Sequence, residues 1–231
     1  MVILVKNNKG GVGKSLISLW LAHGLTLQDK KVLILTSDTQ DNIPTFCGKY
    51  KESKELKRGL EMWLKEGEGD ILELRKNLYY IPLRQVAINE AQSLRMSTFV
   101  EEMKKRVDYI IIDASPVLTL DDVFVELADS VIAPTFLDEV TTQGLTQLIN
   151  KVGLRKIKAI VPNRCHSNKH ERKVYELLKN SIGTQTLITE PLKHSYVVAG
   201  LVLANKTIWE TSMRAADPIK NIFQQVIEVV K

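Results

Sequence analysis

The run Lys9-Gly10-Gly11-Val12-Gly13-Lys14-Ser15 has the residue types and spacing needed to hold a polyphosphate. Glycines at 10, 11 and 13 let backbone N–H groups turn inward toward an anion, and a helix starting at the end of the loop directs its positive dipole end to the same place. Lys14 is spaced to contact the β- and γ-phosphates of a nucleotide, and the Ser15 hydroxyl to ligate Mg²⁺. A general phosphate loop reads Gly, four residues of any type, Gly, Lys, then Ser or Thr. Here Gly13-Lys14-Ser15 satisfies the end, while Asn8 stands where the first glycine belongs. A glycine cluster alone would read as a tight turn; a lysine and a hydroxyl at these offsets, between an apolar strand and a helix, point to nucleotide binding.

Such a loop needs carboxylates at the ends of neighbouring strands. Tyr109-Ile110-Ile111-Ile112 runs into Asp113, which puts an acid at the carboxyl end of a buried strand, beside the loop, where Mg²⁺ would sit. The other reading of Asp113 is a helix N-cap. A second apolar run, Val32 to Leu35, leads into Thr36-Ser37-Asp38-Thr39-Gln40, and a third, Ile160-Val161-Pro162, into Asn163-Arg164.

With a lysine added at its first position, Lys9 to Ser15 resembles the deviant Walker A motif of the ParA/MinD ATPases. The resemblance implies a P-loop NTPase fold, ATP and ADP as ligands with Mg²⁺, and an ATP-dependent homodimer in which Lys9 reaches across to the other protomer's phosphates. That lysine would stabilise transition-state charge as an arginine finger does. Asp113-Ala114-Ser115-Pro116 resembles the family's switch II, and the resemblance implies that Asp113 reaches Mg²⁺ through one of the ion's own ligands or through a water. The family usually has Asp-x-Asp-Pro-Gln after its second strand, so Asp38 falls on the acid that orients the attacking water, and it joins Ser15 and Asp113 around the metal. Thr36 replaces the first acid and Thr39 the proline, while Leu16 stands where a hydroxyl often touches the α-phosphate. These departures bear on turnover more than on binding. Asn163 matches the asparagine that reads the adenine edge, with Arg164 beside it, and Glu190-Pro191 lies where backbone groups approach the base. Weaker echoes are Asn77 to Pro82, Val131 to Pro134, Gln143-Gly144-Leu145 and Lys206 to Glu210.

The elements that must position these residues follow from hydrophobic periodicity. Short apolar runs read as strands at Val2–Val5, Val32–Leu35, 78–82, 109–113, 130–133, 157–161 and 184–189. Helical spacing follows the loop from Leu16 to Leu25, and recurs up to Arg106, over 118–128, 141–152 and 167–180, and in a terminal helix. In that last helix Asp217 is the expected N-cap, Pro218 the first-turn residue, and Ile219, Ile222, Phe223, Val226 and Val230 share a face. The charged stretch from Lys49 to Asn77 reads as short peripheral helices, and 194–204 as an apolar helical or irregular segment. Strands alternating with helices imply an α/β fold: a doubly wound, mostly parallel sheet flanked by helices, one domain over 1–231.

Composition narrows the partners. Thirty-two Lys and Arg against 27 Asp and Glu give a net charge of +5, compatible with a polyanion such as DNA or an acidic membrane surface. Cys47 and Cys165 lack metal-ligand spacing, and they lie outside matching segments for the iron–sulfur cluster of electron-transferring relatives. No signal peptide and no run of ~20 apolar residues occurs, so the expectation is a cytoplasmic, nucleoid-associated protein without a membrane partner. The loop begins by residue 9, leaving no room for an N-terminal helix-turn-helix domain, and the terminal helix reads as core rather than as a membrane-targeting helix. The resemblance is therefore nearest to small DNA-partition ATPases. It implies nonspecific double-stranded DNA and a ParB-like centromere-binding protein as partners, with Lys169, Arg172, Lys173, Lys193, Lys206 and Arg214 as candidate DNA contacts. The alternatives are a MinD-like positioning ATPase on membranes and a nucleotide-dependent scaffold with little hydrolysis.

Overall fold

The computed structural model describes residues 1–85, 90–114 and 118–231, without the side chains of 118–121. Ser115 and Pro116, expected in switch II, lie outside the described residues. In chain order the elements are β1 (Val2–Val5), α1 (Lys14–Thr26), β2 (Val32–Thr36), α2 (Asn42–Phe46), α3 (Tyr50–Glu55), α4 (Leu60–Glu66), β3 (Leu72–Arg75), β4 (Leu78–Ile81), α5 (Glu90–Lys104) and β5 (Tyr109–Asp113). They continue with α6 (Leu118–Leu127), β6 (Ser130–Thr135), α7 (Glu139–Val152), β7 (Ile157–Pro162), α8 (Lys169–Ile182), β8 (Leu187–Ile188), α9 (Tyr196–Leu203) and α10 (Asp217–Val229).

The strands form one eight-stranded sheet in the order β3-β4-β2-β5-β1-β6-β7-β8, parallel except for the β3–β4 pair. Successive side chains on a strand point to opposite faces. Ile3 and Val5 accordingly enter the core formed with α1 and α10, whereas Val2 and Leu4 enter the one formed with α4, α5 and α7. Burial on both faces is why β1, β2 and β5 read as unbroken apolar runs. Register then sets the site: Asp113 pairs with Val5 on one side and Thr36 on the other, so three strand ends finish level.

Three local readings change. Leu72–Arg75 is an antiparallel edge strand, not part of a helical region; only Leu74 of its residues is buried, so its sequence carries little apolar signal. The turn into β4 is made by Asn77 at φ 63°, a left-handed conformation that asparagine tolerates. The strand expected over 184–189 is paired only at Leu187–Ile188. Asp217 is the first residue of α10 rather than its cap: Ala216 holds that position, and the Asp217 carboxylate instead lies 3.6 Å from Lys220. The apolar face of α10 is as expected, with Ile219, Ile222, Phe223, Val226 and Val230 all buried.

Candidate functional site

The glycine loop leaves β1 in the crevice where chain connections diverge, with β5 and β2 to one side and β6 to the other, the place where open parallel sheets receive ligands. Asn7, fully buried, fixes its start: Nδ2 donates to the Pro134 carbonyl at 2.7 Å, and Oδ1 accepts from the Lys9 N–H at 3.0 Å. Helix α7 crosses close by at Gly144, where an added Cβ would lie 3.2 Å from Asn7 Oδ1 and 3.7 Å from Lys9 Cγ. Lys9 itself is exposed.

Gly13 closes the loop at φ 90° and caps α1 without a side-chain hydrogen bond, so the first N–H groups of that helix face the crevice. Lys14 folds back over the loop and its Nζ donates to the Lys9 carbonyl at 2.8 Å. Val12 is buried and contributes backbone only; its carbonyl accepts a 2.9 Å hydrogen bond from Asn163 Nδ2. Asn163 Oδ1 in turn accepts from the Arg164 N–H at 2.9 Å. The residue matched to adenine recognition is thus also a strut of the phosphate loop.

Gly13 has little freedom to change. An added Cβ there would sit 2.4 Å from Asn163 Nδ2, in a backbone region that L side chains rarely adopt. Gly13→Ala is expected to cost about 1–3 kcal/mol of stability through backbone strain and to displace Asn163 from Val12. A lowered melting temperature together with lost binding of a fluorescent ATP analogue checks it; unchanged binding would refute the loop geometry.

Two carboxylates face this loop. Asp113 is buried, and Ser18 Oγ donates to its Oδ1 at 3.3 Å. Burial pushes the Asp113 carboxyl up to about 6; the nearby Asp38 charge adds to the rise, and the Ser15 and Ser18 hydroxyls and the Lys14 ammonium oppose it. Asp38 is presented by a tight turn. Its N–H donates to Thr36 Oγ1 at 2.9 Å, its Oδ1 accepts from the Gln40 N–H at 2.9 Å, and its Oδ2 accepts from Asn42 Nδ2 at 3.1 Å. Thr36, in the place of the family's first acid, therefore shapes the turn through its hydroxyl.

A cleft of about 580 Å³ joins these parts, lined by Gly10, Gly11, Gly13, Lys14, Ser15 and Leu16, by Asn163, Arg164, Leu192 and Lys193, and by Asp38 and Asp113. Pro191 borders a neighbouring groove, while Leu192, next to it, enters the cleft. Of the basic candidates, Arg172 and Lys193 line that same groove, Lys169 and Lys173 sit on the same helix as Arg172, and Arg214 adjoins its lining residue Ala215. Lys206 lies apart, following Asn205, which packs on Gly48. All six are exposed. No motif marks Asn7, Asp41 or Arg84 in the sequence: Asn7 adjoins the position where the first glycine belongs, and the buried Asp41 pairs with the half-buried Arg84 next to the Asp38 turn.

Residues 1–164 match the family described as AAA domain. The Bacillus subtilis sporulation initiation inhibitor protein Soj is 31% identical over 167 residues, 66% of this chain and 65% of that protein. The chromosome-partitioning ATPase Soj of Treponema pallidum is 29% identical over 163 residues, 63% of this chain and 61% of that protein. The matches thus span just under two thirds of the length of these relatives. In three dimensions the fold is that of a plasmid partition protein from Borrelia burgdorferi bound to AMPPNP, with a TM-score of 0.80 at 22% identity, covering 99% of this chain and 97% of that one. With the family match over most of its length and a phosphate loop of the expected build, the chain belongs to this AAA-domain family and to the ParA/MinD family of P-loop ATPases.

Proposed function

We propose that the chain is a DNA-partition ATPase in which ATP joins two protomers, the dimer binds nonspecific double-stranded DNA, and a ParB-like partner stimulates hydrolysis and release. The observation that carries the reading is the convergence of Lys14, Ser15, Asp38 and Asp113 on one cleft that extends to Asn163 and Leu192. That lining suits a triphosphate on the loop and a base beside Asn163 and Leu192.

Each residue then has a role derived from its chemistry. The α1 N-terminus and Lys14 bind the phosphates, Asn163 and the backbone near Pro191 meet the base, and Asp38 orients the attacking water. Lys9, exposed beside the loop, serves the opposite protomer's nucleotide. Mg²⁺ prefers oxygen donors and is usually held by one or two carboxylates plus substrate phosphates rather than by an all-protein cage. Ser15, Asp38 and Asp113 fit that pattern, and no cluster of three or more His, Cys, Asp or Glu suited to a metal occurs among the described residues. Bound there, the ion would stabilise charge on the phosphates.

The groove edged by Arg172 and Lys193, with Lys169, Lys173 and Arg214 around it, is the candidate DNA surface. Relatives named for chromosome partitioning support this reading. Among the described residues no helix is long and apolar enough to cross a membrane; a nucleoid-associated, cytoplasmic protein is the matching location. The test is DNA binding in ATP, ADP and nucleotide-free states over a salt series. Affinity is expected only with ATP, falling steeply as salt rises; with five phosphate contacts, log K should fall by ~4.5 per tenfold rise in salt, and fewer contacts give a proportionally smaller slope. Equal binding in all three states would refute the switch.

A further inference from the structure

The turn that presents Asp38 is held from below by charges that the phosphate-loop reading leaves unused. Asp41, three residues on, is at φ 52° and its side chain is wholly buried. Arg84, in the segment after β4, donates from Nη1 to Asp41 Oδ2 at 2.7 Å, and the Tyr80 hydroxyl donates to Asp41 Oδ1 at 3.3 Å. The rest of the Arg84 fork is engaged as well: Nε donates to the Leu56 carbonyl at 3.2 Å, and Nη2 to the Ser53 carbonyl and hydroxyl. A guanidinium so fully satisfied has one geometry rather than many.

Asp41 lies directly before Asn42, whose amide grips the Asp38 carboxylate, and directly after Gln40, whose N–H does the same. The backbone at 41 therefore sets both contacts that aim Asp38. Aspartate adopts a left-handed backbone more readily than most residues other than glycine, and contacts to its side chain select it over the extended alternatives. The contacts that hold it here are those to the buried Asp41 carboxylate, of which the Arg84 guanidinium makes the shortest.

We infer that Arg84, acting through Asp41, is the positioning residue for Asp38 in nucleotide hydrolysis. The inference rests on the proposed ATPase activity. Phosphoryl transfer depends on placement, and small displacements of a water-orienting group cost rate rather than affinity. The bland reading is that Arg84 merely fastens α3 to the sheet, since it also binds Ser53.

The experiment compares Arg84→Gln, Arg84→Lys and Ser53→Ala in the full chain. Lys54 Nζ lies 3.2 Å from the same Asp41 carboxylate, so Arg84→Gln leaves that acid with a cation and should fold. Arg84→Gln is expected to lower kcat by on the order of 10- to 100-fold while the Kd for a fluorescent ADP analogue stays within about threefold. Arg84→Lys restores most of kcat, and Ser53→Ala, which loosens only the α3 contact, leaves it unchanged. Amide hydrogen exchange is read in parallel: Gln40, Asp41 and Asn42 should exchange faster in Arg84→Gln and not in Ser53→Ala. Unchanged kcat in Arg84→Gln, or parallel losses of kcat and affinity in all three variants, overturns the inference. If the wild-type chain shows no turnover, the ATPase reading fails by itself, and exchange at 40–42 still decides whether Arg84 holds the turn.

Discussion

Replacing Lys9 with alanine is expected to lower ATP turnover by roughly 10³-fold, the lower end of what a cation supplied in trans contributes to phosphoryl transfer. Nucleotide affinity should stay within about threefold of the wild-type value, because an exposed charge contributes little to binding within its own protomer. Two structural facts separate the effects. The Lys9 side chain is exposed, whereas its carbonyl accepts the Lys14 ammonium, and alanine keeps that carbonyl. The loop therefore retains its shape while the proposed partner site loses a charge. Single-turnover hydrolysis beside equilibrium titration of an ATP analogue checks the split. Intact turnover in Lys9→Ala would remove the trans role, and lost affinity would assign the lysine to its own nucleotide.

Lys14→Ala should act in the opposite way, on binding first. A hydrogen bond to a charged group contributes about 1.5–3 kcal/mol, which corresponds to a loss of roughly 10- to 150-fold in Kd for each phosphate contact the ammonium makes. With both the β- and γ-phosphates in reach, ATP binding should fall below detection at micromolar protein. Removal of Nζ also frees the Lys9 carbonyl, so a thermal melt is needed beside the titration. A variant of wild-type stability that still bound ATP tightly would sink the phosphate-loop assignment.

The parallel core of the fold was legible because strands buried on both faces are apolar along their length, as Val2–Val5 is and as Tyr109–Asp113 is up to its terminal acid. Leu72–Arg75 was not, because an edge strand buries one face at most and here exposes or half-exposes Glu73 and Arg75, residues equally at home in a helix. Position 217 misled for a related reason: Asp before Pro fits either a cap or a first turn, and only the backbone at Ala216 decides. Within the candidate site, Lys14, Ser15, Asp38 and Asp113, which line one cleft, were singled out by residue type and spacing alone. Their supports were not. Asn7 meets Pro134, Asn163 meets Val12 and Arg84 meets Asp41 across long stretches of chain, and nothing in the spacing of either partner announces the other.

The borders of the sheet have a bearing on assembly. At one border the antiparallel β3 carries Glu73 and Arg75, with a register irregularity between them, and at the other β8 is paired over only two residues. Charge, irregularity and brevity each blunt an open ladder of N–H and C=O groups. Neither margin gives a second copy a long template for strand addition, the mode of association that runs toward fibrils and is slow to reverse. The proposed dimer is thereby left to surfaces outside the backbone ladder, where a bound nucleotide could make contacts and its loss undo them.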